Sequence, residues 1–370
     1  MQEHRATSSN TFRERMTIRA LNSLERATNF SEMTAVRKFM AGTAIVGSMF
    51  GSGITAALAE NISENQSEAM SRTAHIDVRF SPKSTSGNDS ALVVMAGFSN
   101  FNSNILADSV GESVQSVTDG EVWGMSYNNA HLDYVAMADM LEENVNARQL
   151  TELQLYGHSA GGGIELMVAE ELQARGVYVS AIYMNSTPNG IGGLRPNKQH
   201  EIRTYASAIA DAPWLSYSDA ARTAGEYLDR IDNFKTYEGA IDTITGVHDL
   251  VQNEYTPKTW LLIDQLVAIE QTNAEIRLAR LSENAKPGEK PVIIYLGTGE
   301  GGYDDFVDDK KSGEEICGYA MNVGLPCLRY EIPGAVHMRP EETKEAHAEV
   351  LAQASSEIRA AIRGDERDKT

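Results

Sequence analysis

The stretch that decides the fold is residues 153–176, LQLYGHSAGGGIELMVAEELQARG. It reads as strand, sharp turn and helix. Leu153 and Leu155 lie in a short apolar run of buried-strand length. Gly157-His158-Ser159-Ala160-Gly161 follows, and then Ile164, Met167, Val168 and Leu172 recur at helical spacing until Gly176 stops the helix. A serine in so tight a turn sits in strained backbone, so the positions two before and two after it must be small. The turn also puts Ser159 at a helix N-terminus, where free N–H groups stabilise negative charge. His158 is expected to point into the packing between sheet and helix and not to act on substrate.

Working outward, strands and helices alternate. Thr73 to Ser81 alternates polar and apolar residues, as an early or edge strand does. Ala91 to Gly97, ALVVMAG, is apolar throughout, the pattern of a strand buried on both faces. Asn102 to Val117 has helical spacing through Ile105, Leu106, Val110, Val114 and Val117. Gly120 to Ser126 is the next strand, and Leu132 to Leu150 the next helix, through Val135, Ala138, Leu141 and Val145. Beyond Gly176 a strand is expected over Val177 to Met184. This repeated rhythm predicts an α/β fold with a mostly parallel, doubly wound sheet and helices on both faces.

The rhythm breaks at the loop Asn185 to Gly193. Residues 194–285 are mostly helical in pattern, with candidates at Ser218 to Phe234 and, as one long helix, Pro257 to Ser282. Lys286-Pro287-Gly288 closes this insertion. Pro291 to Gly297, PVIIYLG, is another apolar strand, and Pro326 to Ile332 is the last one. Between them a helix is expected over residues 312–324, with Asp308 and Asp309 as solvated surface charges. A final helix is expected over Glu341 to Ile362, carrying an exposed His347.

With a strand before it and a helix after it, the Gly157-x-Ser159-x-Gly161 turn resembles the nucleophile elbow of the α/β-hydrolase family. The resemblance extends from about Thr73 to Gly364 and is strongest at the elbow and in two late loops. It implies a Ser-His-Asp triad with Ser159 as nucleophile. The acid should lie after the strand Pro291–Gly297, where Asp304 with Val307 fits the family's Asp-x-x-Val pattern and Asp305 is the neighbouring alternative. The base should follow the final strand, where Pro333-Gly334 introduces His337. His248 and Asp249, in Gly246 to Val251, form a competing base and acid inside the insertion. The resemblance further implies an oxyanion hole from the N–H groups of Ala160 and Phe98, and it makes residues 194–285 a cap over the site. It divides the chain into a core, 73–193 with 286–370, and that cap. No cofactor or metal is expected: there is no zinc spacing, Walker loop or dinucleotide fingerprint.

The implied chemistry is hydrolysis of a carboxylic ester, lipid-like in view of the apolar insertion. Thioester, amide or peptide hydrolysis and acyl transfer remain open on the same triad. A non-catalytic exported binding protein on this scaffold is the reading from another class, and a damaged triad would be its mark. Repeats and low-complexity tracts, which an adhesion protein would show, are missing from the sequence.

Composition bounds the partners. The 370 residues carry a formal net charge of −20, which argues against nucleic acid and anionic membrane surfaces as main partners. Cys317 and Cys327 are two and close together, so a disulfide fits an exported protein, and two buried free thiols are the alternative. Residues 1–38 are polar and hold six arginines and Lys38. Phe39 to Ala59, FMAGTAIVGSMFGSGITAALA, is uncharged and about long enough to span a bilayer. Basic residues before it and the acidic bulk after it place the large domain outside the cytoplasm. Two exported readings compete, an uncleaved single-span membrane anchor and a signal peptide cleaved after Ala57-Leu58-Ala59, against a buried glycine-rich helix of a cytosolic protein. Residues 1–60 thus form a leader or anchor and 61–72 a linker.

Overall fold

The computed structural model describes residues 74–81, 89–97, 103–114, 117–118, 120–127, 132–200, 202–203, 265, 268–269, 273–337 and 340–364. Residues 1–72, Phe98, His248, Asp249 and the candidate helix Ser218–Phe234 lie outside the described residues, as does the apolar stretch Phe39–Ala59. Among the described residues no helix is long and apolar enough to cross a membrane.

Among the described residues seven strands form one sheet. They are β1 (His75–Phe80), β2 (Ser90–Met95), β3 (Glu121–Ser126), β4 (Glu152–His158), β5 (Val179–Asn185), β6 (Val292–Thr298) and β7 (Cys327–Ile332). Their spatial order is β1-β3-β2-β4-β5-β6-β7, with β1 antiparallel to β3 and every other pairing parallel. β1 is the edge strand that its alternating sequence predicts, and every residue of β2 and β5 is buried.

Among the described residues six α-helices cover the sheet: α1 (Asn104–Val114), α2 (Tyr134–Arg148), α3 (Ala160–Ala174), α4 (Ala274–Asn284), α5 (Asp309–Asn322) and α6 (Lys344–Arg363). On one face, Leu92, Val94, Tyr156, Tyr183 and Ile294 pack with Val110 of α1 and Leu351 and Ile358 of α6. α3 is the most central helix. It is buried almost along its whole length and packs between α2 and α4. That is why its sequence shows a broad apolar surface and not a narrow stripe.

Three details differ from the sequence-based expectations. Ile105 and Val135 lie at helical spacing with core residues but are 74% and 49% exposed, because each stands in the first turn of its helix, at the rim. The single long helix over Pro257–Ser282 does not exist as such. Asn273 has extended backbone and its side chain accepts a hydrogen bond from the Ile276 N–H, so it caps a new helix, α4. A residue that can cap offers the backbone an alternative to continuing a helix, and here the cap wins. α4 also belongs to the layer around α3 although its sequence falls inside the insertion: Leu278 and Leu281 are fully buried, and Arg277 pairs with Glu170 of α3 at 2.8 Å.

Cys317 of α5 and Cys327 of β7 are joined by a disulfide. Of the two states the sequence allows for this pair, the oxidised one is present.

Candidate active site

Parallel strands align their C-terminal ends, and the loops leaving those ends gather in one place. β4 ends at His158, and the chain turns at once into α3. Ser159 makes this turn with φ 54° and ψ −123°, a conformation that costs a non-glycine residue about 1–3 kcal/mol. The glycines make room for it. A Cβ on Gly157 would lie 2.5 Å from the Gly162 nitrogen and 2.6 Å from the Gly161 carbonyl carbon, and one on Gly161 would strike the carbonyl oxygen of Met95. The Ser159 N–H donates to the Asn185 carbonyl at 2.8 Å, which fixes the turn to the end of β5.

Two other loops converge on this turn. The loop after β6 carries Asp304, and the loop after β7 carries His337; they meet in a bridge between Tyr303 and Val336. Ser159 Oγ lies 3.0 Å from His337 Nε2, and His337 Nδ1 lies 2.6 Å from Asp304 Oδ2. All three residues are 5% exposed or less. Asp304 is held by its own loop, since its Oδ1 accepts from the N–H groups of Phe306 and Val307 at 2.8 and 2.7 Å. An ionised carboxylate oxygen only accepts, so His337 Nδ1 donates to Asp304 Oδ2, and the neutral ring in that tautomer presents Nε2 as an acceptor to the serine hydroxyl. Asp305, the neighbour in sequence, is exposed to solvent.

The elbow also sets the surroundings of the serine oxygen. Ala160 is the first residue of α3, where an N–H has no acceptor within the helix. Gly97, after β2, passes directly beside the turn: a Cβ there would lie 2.9 Å from Ser159 Cβ and 3.5 Å from the Ala160 nitrogen. Gln265 donates to the Gly97 carbonyl at 3.2 Å.

Several residues at the site are not apparent in the sequence. Asp309, expected as a solvated charge, is buried. It accepts from the Tyr295 hydroxyl at 2.9 Å, the Thr298 N–H at 2.9 Å and the Ser186 hydroxyl at 3.2 Å. Burial, with the nearby Asp304 charge next, holds its carboxyl above the ordinary range, against the pull of those hydrogen bonds. Asp308, the other expected surface charge, caps α5. His347, expected to be exposed, is 3% exposed and faces the end of β5. His158 points into the sheet–helix packing as expected, yet its ring lies 5.5 Å from that of His337. Arg195 donates to the Asp304 carbonyl at 2.5 Å and stands over the Tyr303 ring, while Phe306 stacks on His337 and carries Lys198 above it. Among the described residues no group of three His, Cys, Asp or Glu side chains is placed to hold a metal ion.

No protein-family model matches this sequence, and no curated protein matches it. Solved structures do. A thermostable carboxyl esterase from Bacillus coagulans, in complex with glycerol, is similar with a TM-score of 0.50 at 14% identity, over 78% of this chain and 94% of that one. A hydrolase from Pseudomonas aeruginosa gives 0.45 at 13%, over 76% and 92%. A proline iminopeptidase from Mycobacterium smegmatis gives 0.42 at 12%, over 78% and 96%. At such identities the likeness is one of fold. The strand order and the strand–turn–helix at Ser159 agree with it, and the chain has the α/β-hydrolase fold.

Proposed function

We propose that the protein is a serine hydrolase that cleaves a carboxylic ester through an acyl-enzyme, with Ser159 as nucleophile, His337 as general base and Asp304 as its partner. The observation that carries this reading is the unbroken line of short polar contacts from Ser159 Oγ through His337 to Asp304, buried at the C-terminal edge of the sheet. Such a line gives the serine hydroxyl an acceptor for its proton and gives the resulting imidazolium a carboxylate to rest against. Asp305 and the pair His248 and Asp249 are then outside the machinery.

The reaction follows from these roles. Ser159 Oγ attacks the carbonyl carbon while its proton passes to His337 Nε2. The carbonyl oxygen takes up the negative charge and is received by the N–H of Ala160, with that of Phe98 as second donor. The tetrahedral species collapses, His337 gives its proton to the departing alkoxide, and the alcohol leaves. Water then attacks the acyl-enzyme, passing a proton to His337, which returns it to Ser159 Oγ as the carboxylic acid is released. Phe306, stacked on the His337 ring, and the apolar residues of the insertion sequence favour an ester with an apolar acyl part. The disulfide and the charge pattern around Phe39–Ala59 favour an exported enzyme, cleaved or anchored.

The test is a labelled fluorophosphonate on wild type and Ser159→Ala. Labelling of wild type alone supports a nucleophilic serine. Equal labelling of both, or of neither, overturns the assignment. A panel of short- and long-chain acyl esters, thioesters and amides then identifies the leaving group and the acyl length.

A further inference from the structure

Behind the Ser159–His337–Asp304 line runs a second line of polar side chains that the reaction above does not use. It begins at the carbonyl oxygen of Thr343, just before α6. A carbonyl only accepts, so His347 Nδ1, 3.0 Å away, carries a proton. Burial lowers the proton affinity of His347, so its ring is neutral at neutral pH and its Nε2 is a bare acceptor. That nitrogen lies 2.8 Å from Asn185 Nδ2, which must therefore donate. The second Nδ2 hydrogen goes to the Tyr156 hydroxyl at 2.8 Å. The Asn185 amide is thereby fixed in orientation, and its Oδ1 faces His158 Nδ1 at 2.9 Å. An amide oxygen also only accepts, so His158 holds its proton on Nδ1. A chain of forced choices runs from a main-chain carbonyl to the ring beside the base.

Four observations set this line apart from ordinary core packing. His158, Asn185 and His347 are each 7% exposed or less. His158 and Asn185 are register partners in adjacent strands, so both side chains leave the sheet on one face. Asn185 also holds Ser159 directly, through its carbonyl. Finally, His158 Nε2 is buried and has no hydrogen-bond partner among the described residues. The titratable groups that face His158 are His337 from the loop after β7, Asp304 from the loop after β6 and His347 from α6. Burial, reinforced by His337 and His347 and opposed by the Asn185 hydrogen bond and Asp304, pushes His158 down to about 3.

We infer that Asn185, His347 and the Thr343 carbonyl hold His158 as its neutral Nδ1–H tautomer, and that His158 is a positioning residue for His337. The uncharged ring, with its only N–H turned to Asn185, lies beside the base when the base takes up the serine proton. A positive charge at this separation would oppose that protonation on the order of a hundredfold at an effective dielectric constant of 20. The opposite tautomer would set two lone pairs against each other at Asn185 and leave a buried N–H without an acceptor. The role at the base rests on the hydrolase reading above; the tautomer does not.

The experiment is histidine-selective nitrogen-15 NMR on the full chain, with fluorophosphonate labelling rates and ester kinetics alongside. In wild type both His158 and His347 are expected as Nδ1–H rings, and His158 is expected to show no protonation between pH 5.5 and 8.5. His347→Phe frees the Asn185 amide, so His158 loses its tautomer, and labelling rate and kcat fall on the order of tenfold with KM little changed. His347→Gln keeps an acceptor for Asn185 Nδ2, so it retains the His158 tautomer and a rate within about twofold of wild type. If His347→Phe does not fold, the wild-type spectrum and His347→Gln still decide. An Nε2–H or charged His158 in wild type overturns the inference. So does equal loss of reactivity in His347→Phe and His347→Gln, which means packing alone. Absence of labelling in wild type overturns the hydrolase reading and the role at the base, with the tautomer still read from the spectra.

Discussion

Asp304 and Asp305 are adjacent in sequence and opposite in circumstance. Asp304 is buried against His337 with its other oxygen held by two N–H groups; Asp305 faces solvent. Asp304→Asn is therefore expected to lower kcat by about 10³–10⁴-fold, because an amide cannot hold the imidazole in its working tautomer or stabilise its cation. Asp305→Asn should stay within about twofold. Steady-state kinetics on one ester measures both, and a large loss in Asp305→Asn with a small one in Asp304→Asn would reverse the assignment. The pattern around Asp304 is legible in sequence because the aspartate, the valine three residues on and the strand before it are local to one another. Asp309 is not legible: it looks like one more charge at a helix start. The groups that hold it, Ser186 after β5 and Tyr295 and Thr298 of β6, come from elsewhere in the chain, the farthest 123 residues away. His347 is hidden for the same reason, since its partner Asn185 lies 162 residues off.

Among the elements, α3 carries a buried carboxyl in its second turn. Glu165, in its second turn, is fully buried, and neither carboxylate oxygen has a hydrogen-bond partner among the described residues. Burial raises its proton affinity well above the ordinary carboxylate range, so the folded chain keeps the proton that the unfolded chain releases near pH 4.3. The unfolded state then binds fewer protons, and stability falls as pH rises from about 4.3 toward the raised folded value. Glu165→Gln should flatten that slope, and Glu165→Leu should flatten it and raise the unfolding midpoint. Urea unfolding at pH 4.5, 6 and 8 reads this directly, and parallel curves for wild type and Glu165→Gln would refute it. A second element-scale device joins α5 to β7. The Cys317–Cys327 bridge closes a loop of sequence separation 10, for which chain entropy gives about 2–3 kcal/mol. The double Cys→Ser variant should melt several degrees lower, while unchanged melting would show that the loop is already confined without the bond. Most strands and helices are legible in sequence. Burial on both faces leaves runs such as ALVVMAG and PVIIYLG apolar throughout, and Gly176 closes α3 with a φ of +86°. The break before α4 is not, because the apolar pattern on either side of Asn273 continues through it and only the side-chain cap marks the boundary.

At the scale of the whole molecule, two separate features bear on where the chain works. One is the order of charge around Phe39–Ala59: arginines and Lys38 before an uncharged stretch, and after it the acidic bulk of a chain whose net charge is −20. The other is the disulfide, which persists in an oxidising compartment and is rare in the cytosol of ordinary cells. They are independent, since one concerns passage through a membrane and the other the redox state beyond it. Export therefore makes a joint prediction for protein isolated from its native host without reductant. Alkylation before reduction should add no label, and alkylation after reduction should add two. Intact mass should also place the N-terminus at Glu60 if the apolar stretch is removed, or retain residues 1–59 in a membrane fraction if it is an anchor. A full-length chain in the soluble cell interior with two alkylated thiols would contradict both features at once. In that case the bridge would have to be dropped as a native bond, the Phe39–Ala59 stretch would need another burial partner, and only the hydrolytic site would remain to be tested on its own terms.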